Sequence, residues 1–174
     1  MALSWTLIRT YAAEYPEEPD RVLSGVNQRI ISDTDSSRFV TVFYGVLDPS
    51  TGAFSYCNAG HNPPYLIRSQ NGKGTERLTR TGVLLGMFDD EQWEMERIQF
   101  DPGDVLVLYT DGVTEAQNAV GDFFGRERLV KVVKNKSDDS AKVVRESILG
   151  KISKFVGDAP QMDDIALVVV SRKS

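Results

Sequence analysis

The spacing of hydrophobic residues changes partway along the chain, and this change limits the folds available to it. Before residue 38, apolar residues recur every three or four positions, which predicts helices over Ala2–Tyr15 and Pro19–Ser32. From Phe39 onward, short runs rich in β-branched and aromatic residues alternate with turn residues such as those of 48–52, and the run at 39–47, apolar on both faces, is expected to be a central strand. This half of the sequence therefore predicts helices followed by paired strands.

The later segments complete an α+β pattern. Two further helices are predicted at 126–135 and 140–156, and strands are predicted at 39–47, 53–59, 65–68, 93–100, 105–109 and 165–170. Strands that come in hairpin-linked groups favour a largely antiparallel sheet over alternating βαβ units. We expect a single domain over residues 1–174, because a chain of this length is typical of one compact domain.

Composition and charge argue against several classes of protein. The chain has 174 residues, of which 20 are Lys or Arg and 25 are Asp or Glu, so its net charge is −5. Nucleic-acid-binding proteins normally carry a basic surplus, so nucleic acid is not an expected partner. No apolar run approaches the roughly 20 residues that cross a bilayer, so membrane insertion is not expected either. The cytoplasm is the expected location.

The single cysteine and the single histidine limit the available chemistry. Cys57 alone excludes an internal disulfide and a zinc site built on several thiolates, and its apolar strand neighbours favour a buried, unreactive thiol. His61 lies in a loop rich in Gly and Pro, where a hydrogen-bonding role within the loop is the ordinary interpretation. The sequence contains neither a P-loop nor a dinucleotide-binding motif.

Acidic residues stand at the ends of two wholly apolar runs. Asp111 directly follows one run, while Asp163 and Asp164 directly precede the last one. If these two strands pair antiparallel, the three carboxylates meet at one edge of the sheet. Such a cluster is unfavourable unless a cation neutralises it, and oxygen ligands suit Mg²⁺ or Mn²⁺. Glu115, one helical turn after Asp111, would lie on the same side. The alternative, an ordinary turn at Asp111 and Gly112 with Asp163 as a surface charge, stays open.

Seven short motifs follow one another along the chain. They are FVTVFYGVLD at 39–48, NAGHNPP at 58–64, LG at 85–86, PGD at 102–104, YTDGVTE at 109–115, FG at 124–125 and QMDDI at 161–165. Together they resemble the SpoIIE/RsbU-type branch of the PPM (PP2C-like) metal-dependent serine/threonine protein phosphatases, over essentially the whole chain. The resemblance implies an αββα sandwich of largely antiparallel sheets flanked by helices.

The resemblance also implies a chemistry and a set of site residues. In this family two Mn²⁺ or Mg²⁺ ions lie at one end of the β-sandwich, and a metal-activated water attacks a phosphoserine or phosphothreonine without a covalent enzyme intermediate. By motif, Asp111 and Asp163 match metal ligands at the catalytic centre, with Asp164 a less certain neighbour. Glu115 matches the position of a carboxylate near a weaker third metal.

The resemblance places two more residues near the site, and one family motif is not found in this sequence. His61 and Gly112 fall at the edge of the substrate site. The motif Asp-x-x-Gly-His/Lys-Gly, which holds the first metal ligand, would lie upstream of the helix that begins near Ala2. We therefore expect the domain to be incomplete at its N-terminus, with weak metal binding and little phosphatase activity in this chain alone. An exposed sheet edge at that place would favour a homodimer.

Two functions remain open at this point. One is dephosphorylation of a phosphoserine or phosphothreonine protein, which the resemblance implies is a phosphorylated anti-sigma-factor antagonist in a bacterial partner-switching pathway. The other is a non-catalytic module of the same fold that binds or regulates a partner protein. By the same resemblance, the helices at 2–15 and 19–32 would couple the site to a fused or separate upstream sensor domain. Simple coverage of the sheet by these helices is the alternative.

Overall fold

A computed structural model describes residues 2–33, 39–69 and 74–173. The elements within these residues, in chain order, are α1 (Ala2–Glu14), α2 (Pro19–Asp33), β1 (Val42–Leu47), β2 (Ala53–Ala59), β3 (Tyr65–Ile67), β4 (Thr75–Arg77), β5 (Glu96–Gln99), β6 (Val105–Tyr109), α3 (Asp111–Thr114), α4 (Gly125–Asn135), α5 (Ala141–Val156) and β7 (Leu167–Ser171). The strands form two antiparallel sheets, in the orders β1-β2-β5 and β4-β3-β6-β7. This confirms the predicted α+β class.

The structure divides into two compact units, each with one sheet and its own helices. The first consists of Met1–Pro63 and Thr79–Phe100, and the second of Pro64–Leu78 and Asp101–Ser174. The expected single domain over the whole chain therefore stays a prediction, and the units are described one at a time. No helix among the described residues is both long enough and apolar enough to cross a membrane.

The first unit is held together by the apolar face of α2. The predicted stripe is confirmed, since Val22, Leu23 and Val26 are fully buried in one cluster with Cys57 and Ala59 of β2. Removing such side chains from water is the main favourable contribution to packing of a helix on a sheet.

One polar residue of α2 also lies inside the first unit. Asn27 is 1% exposed, yet both its Nδ2 and its Oδ1 form hydrogen bonds. Its Nδ2 donates to the Phe88 carbonyl at 2.8 Å, and its Oδ1 accepts from the Gly86 amide at 2.7 Å. These bonds tie the loop that carries the LG motif to α2, because a buried amide is stable only when its polar atoms are paired.

The strand predicted at 39–47 differs from expectation in length and position. Its apolar residues predicted a central strand buried on both faces, but β1 begins at Val42, is only half-buried, and forms an edge of the described sheet. Val40 instead exchanges backbone hydrogen bonds of 3.0 and 2.9 Å with Leu85, and Phe39 is exposed. The aromatic content serves cross-strand packing, with the rings of Phe43 and Tyr56 stacked at 5.2 Å.

The second unit packs α4 and α5 on the sheet that contains β6. The helical spacing of Val144, Ile148, Ile152 and Phe155 predicts one apolar face on α5. This is confirmed, because the first three are buried in the same cluster as residues of β6 and Phe155 packs against it. The N-terminus of α5 is capped by Ser140, whose hydroxyl accepts from the Val143 amide at 3.4 Å. The strand β4 was not predicted, because its three residues are polar and it pairs at the edge of the sheet.

The turn of the PGD motif is organised by a buried carboxylate. Asp104 is 1% exposed and accepts from the backbone amides of Ser69 at 2.9 Å and Asp101 at 3.0 Å. Its carboxylate also forms a salt bridge of 2.8 Å with the Arg68 guanidinium. Hydrogen bonding to Glu76 and Asp104 raises the pKa of Arg68 above its usual value. Asp104 is therefore a structural residue that fixes the entry into β6.

We predict that Asp104→Ala lowers the free energy of unfolding by about 2–4 kcal/mol, because two backbone amides lose their acceptor and the Arg68 guanidinium loses its buried carboxylate partner while keeping Glu76. Urea unfolding measures this directly. The matched control is Asp101→Ala, since Asp101 lies 3.9 Å from the same guanidinium but is 45% exposed. Its expected cost is below about 1 kcal/mol, as for exposed ion pairs. Equal effects of the two substitutions would contradict the role assigned to Asp104.

The middle of α5 contains a glycine that the described fold does not require. Gly150 is exposed, and a Cβ built at this position would meet no heavy atom within 4 Å. Glycine within a helix costs about 0.5–1 kcal/mol relative to alanine. Gly150 therefore weakens α5 without relieving a steric clash within the described residues.

We predict that Gly150→Ala raises the free energy of unfolding by about 0.5–1 kcal/mol and the melting temperature by about 1–4 °C. Thermal denaturation followed by circular dichroism is the measurement. The control is Gly157→Ala at the end of the same helix, where φ is +60° and a side chain is strained. That variant is expected to be less stable than the parent. A lower melting temperature for Gly150→Ala would refute the prediction.

Candidate active site

The candidate site lies in the second unit, at the edge where β6 ends and β7 begins. The two strands pair antiparallel, with Tyr109 opposite Leu167. The chain leaving β6 at Thr110 therefore runs beside the chain entering β7. This confirms the strand arrangement predicted from the sequence, on which the approach of Asp111 to Asp163 depends.

The hydroxyl of Thr110 joins the two chain segments beyond the strand ladder. It accepts from the Ala166 amide at 3.0 Å and donates to the Asp164 carbonyl at 2.9 Å. The Thr110 amide also donates to the Ala166 carbonyl at 3.1 Å. Thr110 is thus a positioning residue that sequence reasoning missed. The sequence feature that could have indicated this role is a hydroxyl residue placed between a buried strand and an Asp-Gly pair.

Gly112 permits the two segments to approach one another closely. A Cβ at this position would collide with the carbonyl oxygen of Asp164 and lie 2.9 Å from its carbonyl carbon. Because the obstruction is backbone, a side chain could be accommodated only if one segment moved. The sequence predicted Gly112 as part of the site, and the structure provides a steric reason for glycine here. Its role toward substrate stays a prediction.

The carboxylates of Asp111 and Asp163 are exposed and only partly hydrogen-bonded. Asp111 Oδ1 accepts from the Gly112 amide at 3.1 Å, and Asp163 Oδ1 accepts from the Asp164 amide at 2.7 Å. The second oxygen of each carboxylate has no hydrogen-bond partner among the described residues, and neither group has a Lys or Arg within 4 Å there. Such hard oxygen donors suit Mg²⁺ or Mn²⁺.

The described residues do not bring together a complete ligand set for a metal ion. They contain no group of three or more His, Cys, Asp or Glu side chains arranged to hold one ion. Asp164 is exposed, and its backbone carbonyl, as described above, is occupied by Thr110. The donor chemistry of Asp111 and Asp163 fits a divalent cation, while the metal roles of these residues and of Asp164 stay predictions.

Glu115 lies one helical turn beyond Asp111, as predicted. Its amide donates to the Asp111 carbonyl at 2.7 Å, closing the single turn of α3, and its side chain is exposed. Glu115, Gly112 and Asp163 line a cavity of about 260 Å³ whose opposite wall is the C-terminal half of α5. The cavity places space for a ligand beside the carboxylates of Asp163 and Glu115. A third metal at Glu115 stays a prediction.

His61 and Cys57 belong to the first unit. The His61 amide donates to Asn58 Oδ1 at 2.9 Å, and its ring Nδ1 lies 3.5 Å from the Thr41 hydroxyl, so the histidine takes part in loop hydrogen bonds. A role at the edge of the substrate site stays a prediction. Cys57 is fully buried, and burial raises the pKa of its thiol to about 12. The predicted burial of the thiol is confirmed, and its raised pKa favours the neutral, unreactive form.

The solved structures place this geometry within a known fold. The SiaA-PP2C domain of Pseudomonas aeruginosa superimposes with a TM-score of 0.82 at 16% sequence identity, covering 98% of this chain and 66% of that one. The fold is thus that of the PP2C-like domains, with antiparallel sheets and flanking helices, as the sequence motifs implied. Two other structures of this fold are the phosphatase domain of SpoIIE from Bacillus subtilis, presoaked with Mn, and RsbX in complex with magnesium. Divalent metals therefore occur in this class of protein.

The family follows from the sequence match. Residues 1–173 match the family described as "Stage II sporulation protein E (SpoIIE)", and the chain belongs to that family. It is 36% identical over 143 residues to "Protein IcfG" of Synechocystis sp., covering 79% of this chain and 21% of that protein. It is 30% identical over 175 residues to "Phosphoserine phosphatase RsbU" of Bacillus subtilis, covering 99% of this chain and 51% of that protein. The chain thus spans about half, or less, of these relatives.

We predict that Gly112→Ala lowers the free energy of unfolding by about 1–3 kcal/mol, because its Cβ forces apart two backbones that Thr110 holds together. Urea denaturation of the whole chain is the measurement. Gly150→Ala provides the matched comparison, as the same chemical change at an open position with the opposite expected sign. Unchanged stability of Gly112→Ala would show that the segments at 111–112 and 163–164 do not approach as closely as described.

Proposed function

We propose that this chain carries the catalytic centre of a metal-dependent phosphatase that acts on a phosphoserine or phosphothreonine protein. The observation that carries the proposal is the presentation of Asp111 and Asp163 on adjoining chain segments, each with a carboxylate oxygen left without a partner among the described residues. Membership of the SpoIIE family and the relationship to RsbU, whose name is phosphoserine phosphatase, support the same reaction.

In this proposal the residues of the chain hold and orient the reacting groups. Asp111 and Asp163 would bind Mn²⁺ or Mg²⁺, with Asp164 and Glu115 as the further candidates. When bound, the cations would activate water and neutralise charge on the transferring phosphoryl group. Thr110 and Gly112 keep the two carboxylate-bearing segments in register. The cavity beside Glu115 would admit the phosphorylated side chain, and His61 is proposed at the edge of the substrate site.

The proposed substrate is a phosphorylated anti-sigma-factor antagonist in a bacterial partner-switching pathway. The name of RsbU specifies a phosphoserine substrate, and the resemblance to the SpoIIE/RsbU branch supports the antagonist as its carrier. An upstream sensor domain, fused or separate, would supply the regulatory input through α1 and α2. A homodimer and a cytoplasmic location complete the proposal.

A non-catalytic module that binds a partner protein is the second candidate. It is favoured by one observation, that no three candidate ligand side chains converge within the described residues. A fold of this family that lacked a complete metal site could still recognise the partner. The prediction of weak metal binding by this chain alone bears on the same choice, and one set of measurements addresses both.

We predict weak Mn²⁺-dependent hydrolysis of a phosphoserine protein or an aryl phosphate by this chain alone, and a further reduction of at least about 100-fold by Asp111→Asn or Asp163→Asn. The magnitude follows from the 10–100-fold losses that even outer-shell partners of a metal produce. Activity with and without millimolar Mn²⁺, and calorimetric titration of Mn²⁺ into the folded protein, are the measurements. Both substitutions remove one negative charge while keeping the size of the side chain.

Asp158→Asn is the matched control, as an exposed carboxylate on the loop after α5, and it should retain full activity. Turnover that is independent of Mn²⁺, or unchanged in both site variants, would contradict the proposal. A folded chain that binds a phosphoprotein but neither binds Mn²⁺ nor turns over substrate would favour the non-catalytic module.

A further inference from the structure

A groove between α4 and α5 combines an apolar floor with a basic rim. Its volume is about 650 Å³, and its floor contains Phe124, Val132 and Phe155. Its rim includes Arg128, Lys131, Lys136, Lys151 and Lys154, and no Asp or Glu lines it among the described residues. A concave surface of this kind is the type that receives an amphipathic segment of another protein.

The positive charge of the groove contrasts with the rest of the chain. Helices α4 and α5 carry four Lys or Arg residues each and one Glu each, although the chain as a whole has a net charge of −5. A local surplus of one sign attracts a partner of the opposite sign and raises the rate of association. Such segregation indicates an acidic partner for this face.

The basic side chains of the rim differ in how far they are already used. Arg128 donates to the carbonyls of Phe123 at 3.0 Å and Phe124 at 2.9 Å, and its guanidinium lies 4.7 Å from the Phe155 ring. Arg128 therefore shapes the groove. Lys136 is paired with Asp139 at 3.2 Å. Lys131, Lys151 and Lys154 are exposed, and none has a carboxylate within 4 Å among the described residues.

Gly150 lines this groove and directly precedes Lys151, one of its two basic rim residues on α5. The space above it is open, since a Cβ there would contact nothing within 4 Å. Glycine in a helix allows another backbone to approach closely. The groove thus offers an explanation for a residue that otherwise only weakens α5.

We propose that the α4–α5 groove is a docking site for an acidic amphipathic segment of a partner protein. The apolar side chains of the segment would contact the floor, its carboxylates would face Lys131, Lys151 and Lys154, and its backbone would pass over Gly150. A nucleic acid fits less well, because the chain as a whole is acidic. A membrane surface fits less well, because the apolar residues line a concavity and do not project from a helix face.

The groove and the candidate active site lie on opposite faces of α5. Ser147, Lys151 and Lys154 face the groove, while Leu149, Ile152 and Val156 line the cavity beside Asp163. A docked segment would therefore leave that cavity open. The docking proposal does not depend on catalysis, and it stands or falls by direct binding.

Selection from a displayed library of random 16-residue peptides against the whole chain tests the proposal. We expect enrichment of acidic peptides with apolar residues three or four positions apart. One enriched peptide, labelled and measured by fluorescence anisotropy, should bind at least about tenfold more weakly to the double variant Lys151→Glu/Lys154→Glu. The control is Lys142→Glu/Arg145→Glu, which makes the same change of charge on the same helix outside the groove. At 200 mM salt we expect it to change the affinity by less than about twofold, because distant charges are screened at this salt concentration.

Gly150→Leu provides a second variant that changes no charge. Leucine is a good helix former and position 150 is open, so we expect the variant to keep the fold. The added side chain would occupy the space expected for the docked backbone. Equal loss of binding in the two double variants, or enrichment of basic or neutral peptides, would overturn the proposal. So would tighter binding, dependent on the same lysines, of a 20-nucleotide single strand or of phosphatidylglycerol vesicles. Full affinity in Gly150→Leu would overturn the proposed path over Gly150.

Discussion

The antiparallel pairing of β6 with β7 is the constraint on which the candidate site depends. Asp111 and Asp163 lie more than 50 positions apart in the sequence. Their chain segments meet only because β6 pairs with β7, with Tyr109 opposite Leu167. The Thr110 hydroxyl extends this pairing by two hydrogen bonds, and Gly112 leaves the room that the approach needs. Backbone geometry, more than any contact between carboxylates, therefore determines where Asp111 and Asp163 are presented.

Much of the fold could be predicted from hydrophobic spacing alone. The bounds of β2 and β6 agree with the sequence prediction, and the four predicted helices agree within one residue at each end, because strong apolar periodicity dominates in these segments. The failures have local causes. The strand at 39–47 was expected to be central because both of its faces are apolar, but its aromatic side chains pack across to β2 and its first residues pair with Leu85. Strand β4 was not predicted, because its three polar residues show no apolar alternation.

The site could be predicted only in outline, and for different reasons at different residues. The position of Asp111 after a buried run and of Asp163 before another was enough to predict a shared edge. Spacing could not assign a role to Thr110, because its importance depends on the carbonyl of Asp164 and the amide of Ala166. Asp104 is the converse case, since an acidic residue in a family motif is a buried structural partner of Arg68. Position in a motif does not separate these roles, whereas burial and partners do.

The distribution of charge explains why the proposed site would take its cations from solution. The second unit has eight Lys or Arg residues on α4 and α5, yet none lies within 4 Å of Asp111 or Asp163 among the described residues. The lysines on α5 that line the groove lie on the face opposite the cavity beside Asp163. Neutralising a phosphoryl group next to two carboxylates requires positive charge at that edge. Because Lys151 and Lys154 line the groove on the opposite face of α5, a divalent ion would supply that charge in the proposed site, and these lysines stay available to a partner.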